Sequence, residues 1–144
     1  MKTTIITAIA IVFATNTVCA QKVKEAEVPK AVVTSFQTNF KGAKVEKWEK
    51  EKDGNYEAEF DWNKIETSAT FNPDGKLNET EQEIKVSELP KTVTDYIAKN
   101  YSKHKIAEAA KITTGEGKLC YEAEIKNGKE KKDLIFDENG NFVK

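Results

Sequence analysis

Residues 28–32, Val-Pro-Lys-Ala-Val, return at 89–93 as Leu-Pro-Lys-Thr-Val, and this self-similarity constrains the fold more than any other feature of the chain. At the same offset of 61, Phe36 meets Ile97, Asn39 meets Asn100, Phe40 meets Tyr101, Lys44 meets Lys105 and Val45 meets Ile106. Further along, Tyr56-Glu57-Ala58-Glu59-Phe60 returns as Tyr121-Glu122-Ala123-Glu124-Ile125, now at an offset of 65. The four extra residues fall in the connecting turn around Gly115-Glu116-Gly117. At that second offset Phe71-Asn72-Pro73-Asp74-Gly75 meets Phe136-Asp137-Glu138-Asn139-Gly140. Two copies are too few for a solenoid, so one pseudo-symmetric domain is expected over residues 21–144. Its first repeat covers about 26–86 and its second about 87–144.

Each copy opens with a helix. Val28, Ala31, Val32, Phe36 and Phe40 recur at helical spacing, with Pro29 where a first turn tolerates it and Gly42 as the stop. Leu89, Val93, Tyr96, Ile97 and Tyr101 draw the same stripe, and core is the expected role of both stripes. Strands come next. Lys44 to Lys52 runs through the hairpin signal Asp53-Gly54 into Tyr56-Ala58-Phe60-Trp62, which alternates with Glu57-Glu59-Asp61. Ile65 to Phe71 and Leu77 to Ile84 continue the first copy. Lys105 to Thr113, Leu119 to Lys126 and Glu130 to Phe136, with a stub at Phe142, make the second. Short connections make neighbours antiparallel, and the alternation gives the sheet one apolar and one wet face. The expected fold is α+β: a tandem repeat of one helix followed by three to four antiparallel strands. It forms a single seven- to eight-stranded sheet with two helices on one face.

Ahead of the repeats, Lys2 precedes an apolar stretch from Ile5 to Ala14, too short for a membrane span of about 20 residues but right for a signal peptide. Val18-Cys19-Ala20 fits the small-residue cleavage rule, so residues 1–20 are expected to be an export signal cut after Ala20, leaving a periplasmic or secreted protein. The rival is a lipoprotein acylated on Cys19, for which the preceding Asn16-Thr17-Val18 is a poor match. Of 144 residues, 23 are basic, all of them Lys, and 24 acidic; cleavage leaves 22 Lys against the same acids. A near-neutral chain without Arg is not built to bind nucleic acid. One His and two Cys speak against a protein-built zinc or haem site, and no cofactor is expected. The near-equal counts are expected to alternate over the wet sheet face, with no single-sign field.

The ordered features resemble the PepSY-like proteins with a β-lactamase-inhibitor-like fold, small secreted proteins of Bacteroidetes-type bacteria. The residues that carry the resemblance are the Val28-Pro29 and Leu89-Pro90 helix starts, the Phe40-Lys41-Gly42-Ala43-Lys44-Val45 link with Trp48, and the two Tyr-Glu-Ala-Glu strands. The turns at Phe71 to Gly75 and Phe136 to Gly140 match as well, so the likeness spans roughly residues 26 to 143. It implies a tandem helix-plus-sheet fold and a non-enzymatic binding or inhibitory role outside the cytoplasm. PepSY domains restrain peptidases, and the inhibitor fold grips an enzyme with its concave sheet. The second copy departs from the first, with Ala109 where Trp48 stands and a longer turn.

Three uses of the chain are expected from these residues. The first is docking of an extracytoplasmic protein on the polar sheet face. Its candidate residues are Glu57, Glu59, Glu122 and Glu124, with Trp48 turned to the same side because its parity differs from that of Val45. A β-bulge would return Trp48 to the core. The second is carriage of a small ligand or peptide between helices and sheet, in space lined by Tyr56, Phe60, Ala69 and Tyr121. The third is hydrolysis by the paired carboxylates, which lie about 7 Å apart along a strand, inside the roughly 5–9.5 Å that glycosidases use. That chemistry needs a carboxyl with a raised pKa, whereas a solvated face with Lys44, Lys50, Lys131 and Lys111 nearby predicts ordinary ones. No catalytic residue is therefore assigned. Asp137-Glu138-Asn139-Gly140-Asn141 opens like a calcium loop, but Phe142 stands where such a loop needs Gly, and a plain turn is expected. Cys120 shares parity with Glu122 and Glu124 beside acidic groups, and His104 lacks a partner at catalytic spacing, so neither is a candidate nucleophile or base.

Overall fold

A computed structural model describes residues 20–144; positions 1–19 of the expected leader, Cys19 among them, lie outside the described residues. The elements in chain order are β1 (Gln21–Val23), α1 (Lys30–Asn39), β2 (Val45–Lys50), β3 (Tyr56–Trp62), β4 (Ile65–Phe71) and β5 (Leu77–Glu83). Then come α2 (Lys91–Asn100), β6 (Lys105–Thr114), β7 (Leu119–Asn127) and β8 (Glu130–Asp137). All eight strands form one antiparallel sheet in sequence order. Seven of them stand where the alternation predicts. β1 is the addition: three residues show no readable period, and pairing with β2 defines it.

The duplication extends to details of backbone chemistry. Ahead of each helix a single 3₁₀ turn is closed by a carboxylate, with Lys24 N–H donating to Glu27 Oε2 and Lys85 N–H to Glu88 Oε2, both at 2.9 Å. Asn39 and Asn100 each donate from Nδ2 to a carbonyl one turn back, on Ser35 and Tyr96. The turns after β4 and β8 lie against the first turn of α1 and α2. At Gly75 a Cβ would stand 2.5 Å from the Ala31 carbonyl oxygen, and at Gly140 it would overlap the Thr92 hydroxyl. Both glycines also have φ near +80°, so either substitution adds backbone strain to a clash. The Asp137 turn is Asx chemistry, as expected: Oδ1 accepts from the N–H of Asn139 and of Asn141. The Asn141 side chain, donating from Nδ2 to Oδ2 at 2.9 Å, and then these backbone bonds hold the Asp137 carboxyl below the usual range.

The helices cover one face of the sheet in two separate cores. Under α1, Phe36 meets Phe60 edge-on at 4.8 Å, Phe40 lies 4.7 Å from Phe60, and Trp62 closes the end against Phe40 at 5.6 Å. Under α2, Val93 and Ile97 pack on Ala109, Ala123, Ile125, Leu134 and Phe136. Ala58, Ala69 and Ala123 are fully buried beneath the helices, small enough to let helix and sheet approach closely. Between the cores, the register on the helix side runs Thr67–Gln82–Lys111 and Ala69–Thr80–Thr113. A polar stripe therefore separates the two hydrophobic units of a single sheet. Among the described residues, the other face carries no helix.

Candidate functional site

The placement of every side chain on the open face depends on two bulges. In β2, Val45 opposes Phe60 while Lys47 opposes Glu59, leaving Glu46 extra; in β6, Ile106 opposes Ile125 while Glu108 opposes Glu124, leaving Ala107 extra. The two stand at the repeat offset of 61. Each flips the parity of the rest of its strand. Trp48 is thereby returned to the helix side opposite Ala58, 4% exposed, with its ring 5.7 Å from Phe36 in an edge contact. The expectation that Trp48 anchors a partner on the wet face is corrected: unbroken alternation does not hold across a strand that carries an inserted residue. Its buried indole Nε1 has no hydrogen-bond partner. Ala109, its counterpart, is likewise buried on the helix side.

Glu57, Glu59, Glu122 and Glu124 do lie together on the helix-free face, all half-buried. They line a groove of about 450 Å³, to which β4 and β5 add Glu66, Ser68, Glu81 and Glu83, and β6 and β8 add Glu108 and Asp133. Cross-strand register explains its depth. Glu83 opposes Ala110, which in turn opposes Glu122, so a methyl floor lies between two carboxylates. Above that floor the groove has no aromatic lining. Beyond it, Ile112, Cys120 and Ile135 make a small apolar patch on the same face.

This face does not have the balanced charge that the composition suggests. Glu49 opposes Glu57, Glu108 opposes Glu124, and Glu124 opposes Asp133: three like-charged pairs set directly across strands, where such pairs destabilise a sheet. Glu49, Glu51 and Glu57 bring carboxylate oxygens within 4.8 Å of one another, the gathering among the described residues that could offer ligands to a hard cation. Two lysines partly offset the field. Lys47 Nζ lies 2.7 Å from Glu59 and 3.1 Å from Glu49, and Lys131 Nζ lies 2.9 Å from Glu124. Of the other lysines expected here, Lys111 opposes Gln82 and Tyr121 on the helix side and Lys50 sits over the Tyr56 ring at 5.7 Å.

Burial and crowding change the titration of these groups. Burial, seconded by Glu81 and Asp133, pushes the Glu122 carboxyl up to about 8. Burial likewise takes Glu57 to about 7 against a lowering hydrogen bond from Ser68, and takes Glu79 to about 7 with Glu81 adding to it. Glu81 and Asp133 are also raised, again chiefly by burial. The ordinary carboxylates expected from sequence are thus corrected. Proton-holding carboxyls exist at neutral pH, but they are spread over several strands. The groove offers the Ser68 hydroxyl as its other polar side chain, without the amide or imidazole groups that would orient a neutral substrate. Cys120 is buried and its thiol pKa raised by that burial and by Asp137, which makes it a poor nucleophile, as expected.

The space proposed for a carried ligand is filled by the chain itself. Tyr56, Phe60 and Ala69 are buried within the first core and Tyr121 packs on the second, with rings in contact across the helix–sheet gap. Among the described residues no helix is long and apolar enough to cross a membrane.

Several solved structures share this fold. A Bacteroides eggerthii protein described as periplasmic superposes with a TM-score of 0.70 at 17% identity, over 81% of this chain and 86% of that one. A DUF2874 family protein of Bacteroides uniformis gives 0.69 at 17% identity over the same shares. A BLIP-like protein of Bacteroides fragilis gives 0.64 at 21% identity, over 81% and 84%. No curated protein matches the chain. A family model matches over residues 15–66 and 54–144, together most of the chain, and the chain belongs to the beta-lactamase-inhibitor-like, PepSY-like family.

Proposed function

We propose that this protein is an exported, non-catalytic binding module that docks a protein partner on the helix-free face of its sheet. An extracytoplasmic enzyme such as a peptidase is the kind of target this face suits. The observation that carries the reading is the uncovered groove, where Glu57 and Glu124 stand directly opposite other carboxylates at a cost to the fold, with Glu59 and Glu122 beside them. Folds keep such arrangements where a surface serves a ligand better than it serves stability. The likeness to a BLIP-like protein supports inhibition as the form the binding takes. The periplasmic description of the Bacteroides eggerthii relative supports export, as does the leader at 1–20.

Two measurements test this. Affinity capture from the native periplasm is run with the wild type, with Glu57→Lys/Glu122→Lys and with the remote Glu116→Lys. The reading expects a partner that the face variant loses and the remote variant keeps; a partner retained by both removes the face from the proposal. Intact mass of the purified native protein reports the processing, with a chain beginning at Gln21 expected. A lipid-modified Cys19 would overturn simple secretion.

A further inference from the structure

We propose that the occupant of the groove is a cationic strand or loop of a partner protein, laid along the sheet so that alternate Lys or Arg side chains enter between the carboxylates. This rests on the docking role proposed above and names the chemistry of its partner. Spacing and charge both favour it. Same-face residues on a strand recur at about 7 Å, and an extended partner segment presents alternate side chains at that interval. Glu79, Glu81 and Glu83 on β5 offer a matching row through the middle of the sheet, flanked by Glu57 and Glu59 on β3 and by Glu122 and Glu124 on β7.

The chain already shows how ammonium groups sit on this face. Lys47 reaches Glu59 from β2 and Lys131 reaches Glu124 from β8, one at each side of the groove. A third comes from the segment after β8. Val143 N–H donates to Ile135 O at 2.8 Å and Ile135 N–H donates to the Lys144 carbonyl at 2.9 Å, which extends the sheet edge beside Ile135. From there the Lys144 ammonium acts on both Glu122 and Glu79, opposing the rise that burial imposes on each. Glu81 and Asp133, which face the same space, raise that of Glu122. Acids thus outnumber cations at the centre of the field. A half-buried groove of carboxyls, some still holding protons that an arriving ammonium group displaces, favours a cationic partner, and its walls strengthen each contact relative to open water.

The test titrates the full mature chain with an oligolysine peptide at low ionic strength near neutral pH, by calorimetry in two buffers of different ionisation enthalpy. Saturable binding is expected, weakened by salt and accompanied by proton release as carboxyls ionise against incoming ammonium groups. Glu81→Gln/Glu122→Gln should weaken it by about tenfold or more, while Glu25→Gln/Glu116→Gln, the same pair of substitutions away from the face, leaves it within about twofold. Urea unfolding checks that the amide variants are folded. Absence of saturable binding overturns the proposal, as does an equal loss in both variant pairs. Calcium chloride bound in place of the peptide, and lost with the same amides, also overturns it by making the face a cation site. If oligolysine fails but the natural partner is still lost by Glu57→Lys/Glu122→Lys, docking on this face stands and the cationic partner falls. If oligolysine binds while the natural partner ignores that variant, the docking role is what fails.

Discussion

Replacing Glu122 by Gln isolates the strain that the open face imposes on the fold. In an unfolded chain this carboxyl ionises at its ordinary 4.5, whereas in the sheet burial and its acidic neighbours hold the proton until about 8. A folded-state pKa raised above the unfolded one means that stability is fully present below about pH 4.5 and is lost as pH rises toward about 8. At pH 7 the difference amounts to on the order of 3 kcal/mol, from about 2.5 pKa units at 1.36 kcal/mol each. Glu81, Glu79 and Asp133 share the field, so the carboxyls titrate as a group and their separate contributions do not add. Gln keeps the shape and cannot ionise. Urea unfolding at about pH 5 and about pH 8, at fixed ionic strength, should show the wild type losing roughly 3 kcal/mol and the variant losing much less. At the higher pH Glu122→Gln should be the more stable protein; near the lower pH the two should nearly coincide. A wild-type stability that stays flat between those values, or an amide that destabilises at the higher one, would refute the claim that this face is buried and crowded with charge.

The remaining predictions concern the other face and the turns. Trp48→Ala should destabilise by about 3–5 kcal/mol, because the ring is buried against Phe36; an unchanged unfolding midpoint would mean that the ring is not in the core. Gly75→Ala and Gly140→Ala should each lower the melting temperature more than Gly54→Ala. All three have positive φ, but a Cβ meets a helix only at the first two; equal losses would remove the packing argument. Cys120 should resist a thiol-specific disulfide reagent in the native protein and react promptly in urea, since its sulfur is buried and its pKa raised; fast native labelling would place it at an open surface.

Much of the architecture is legible in the residues because its signals are local. Helical spacing from Val28 to Phe40 and from Leu89 to Tyr101, period-two alternation and the Asp-Gly and Asn-Gly turns each act within a few residues. The duplication then supports each reading by its copy. The side on which Trp48 lies is not legible, because a bulge is a property of two paired strands: Glu46 is extra only relative to Phe60 and Glu59 across the ladder. β1 escapes for a similar reason, being three residues defined by their partner. The alternation does place the four glutamates of the candidate site on one face, yet it says nothing of their environment. Carboxylates that look well spaced along β3 and β7 acquire neighbours from β2, β5, β6 and β8 only when the register is set.

The sequence by itself determined the repeat, the α+β order of elements and the near-balance of 23 Lys with 24 acids. Tertiary structure alone decided where that charge goes. Many lysines fall in turns, loops and helices, such as Lys41, Lys52, Lys76, Lys91 and Lys129, while glutamates fill most of the open-face positions in the middle of β3, β5 and β7. Charge counted along a chain is an average, whereas the field at a groove is set by separation in space. Strands about 4.8 Å apart bring together residues distant in sequence, and burial then removes the water that would screen them. A nearly neutral chain can therefore fold into a protein with one strongly acidic face.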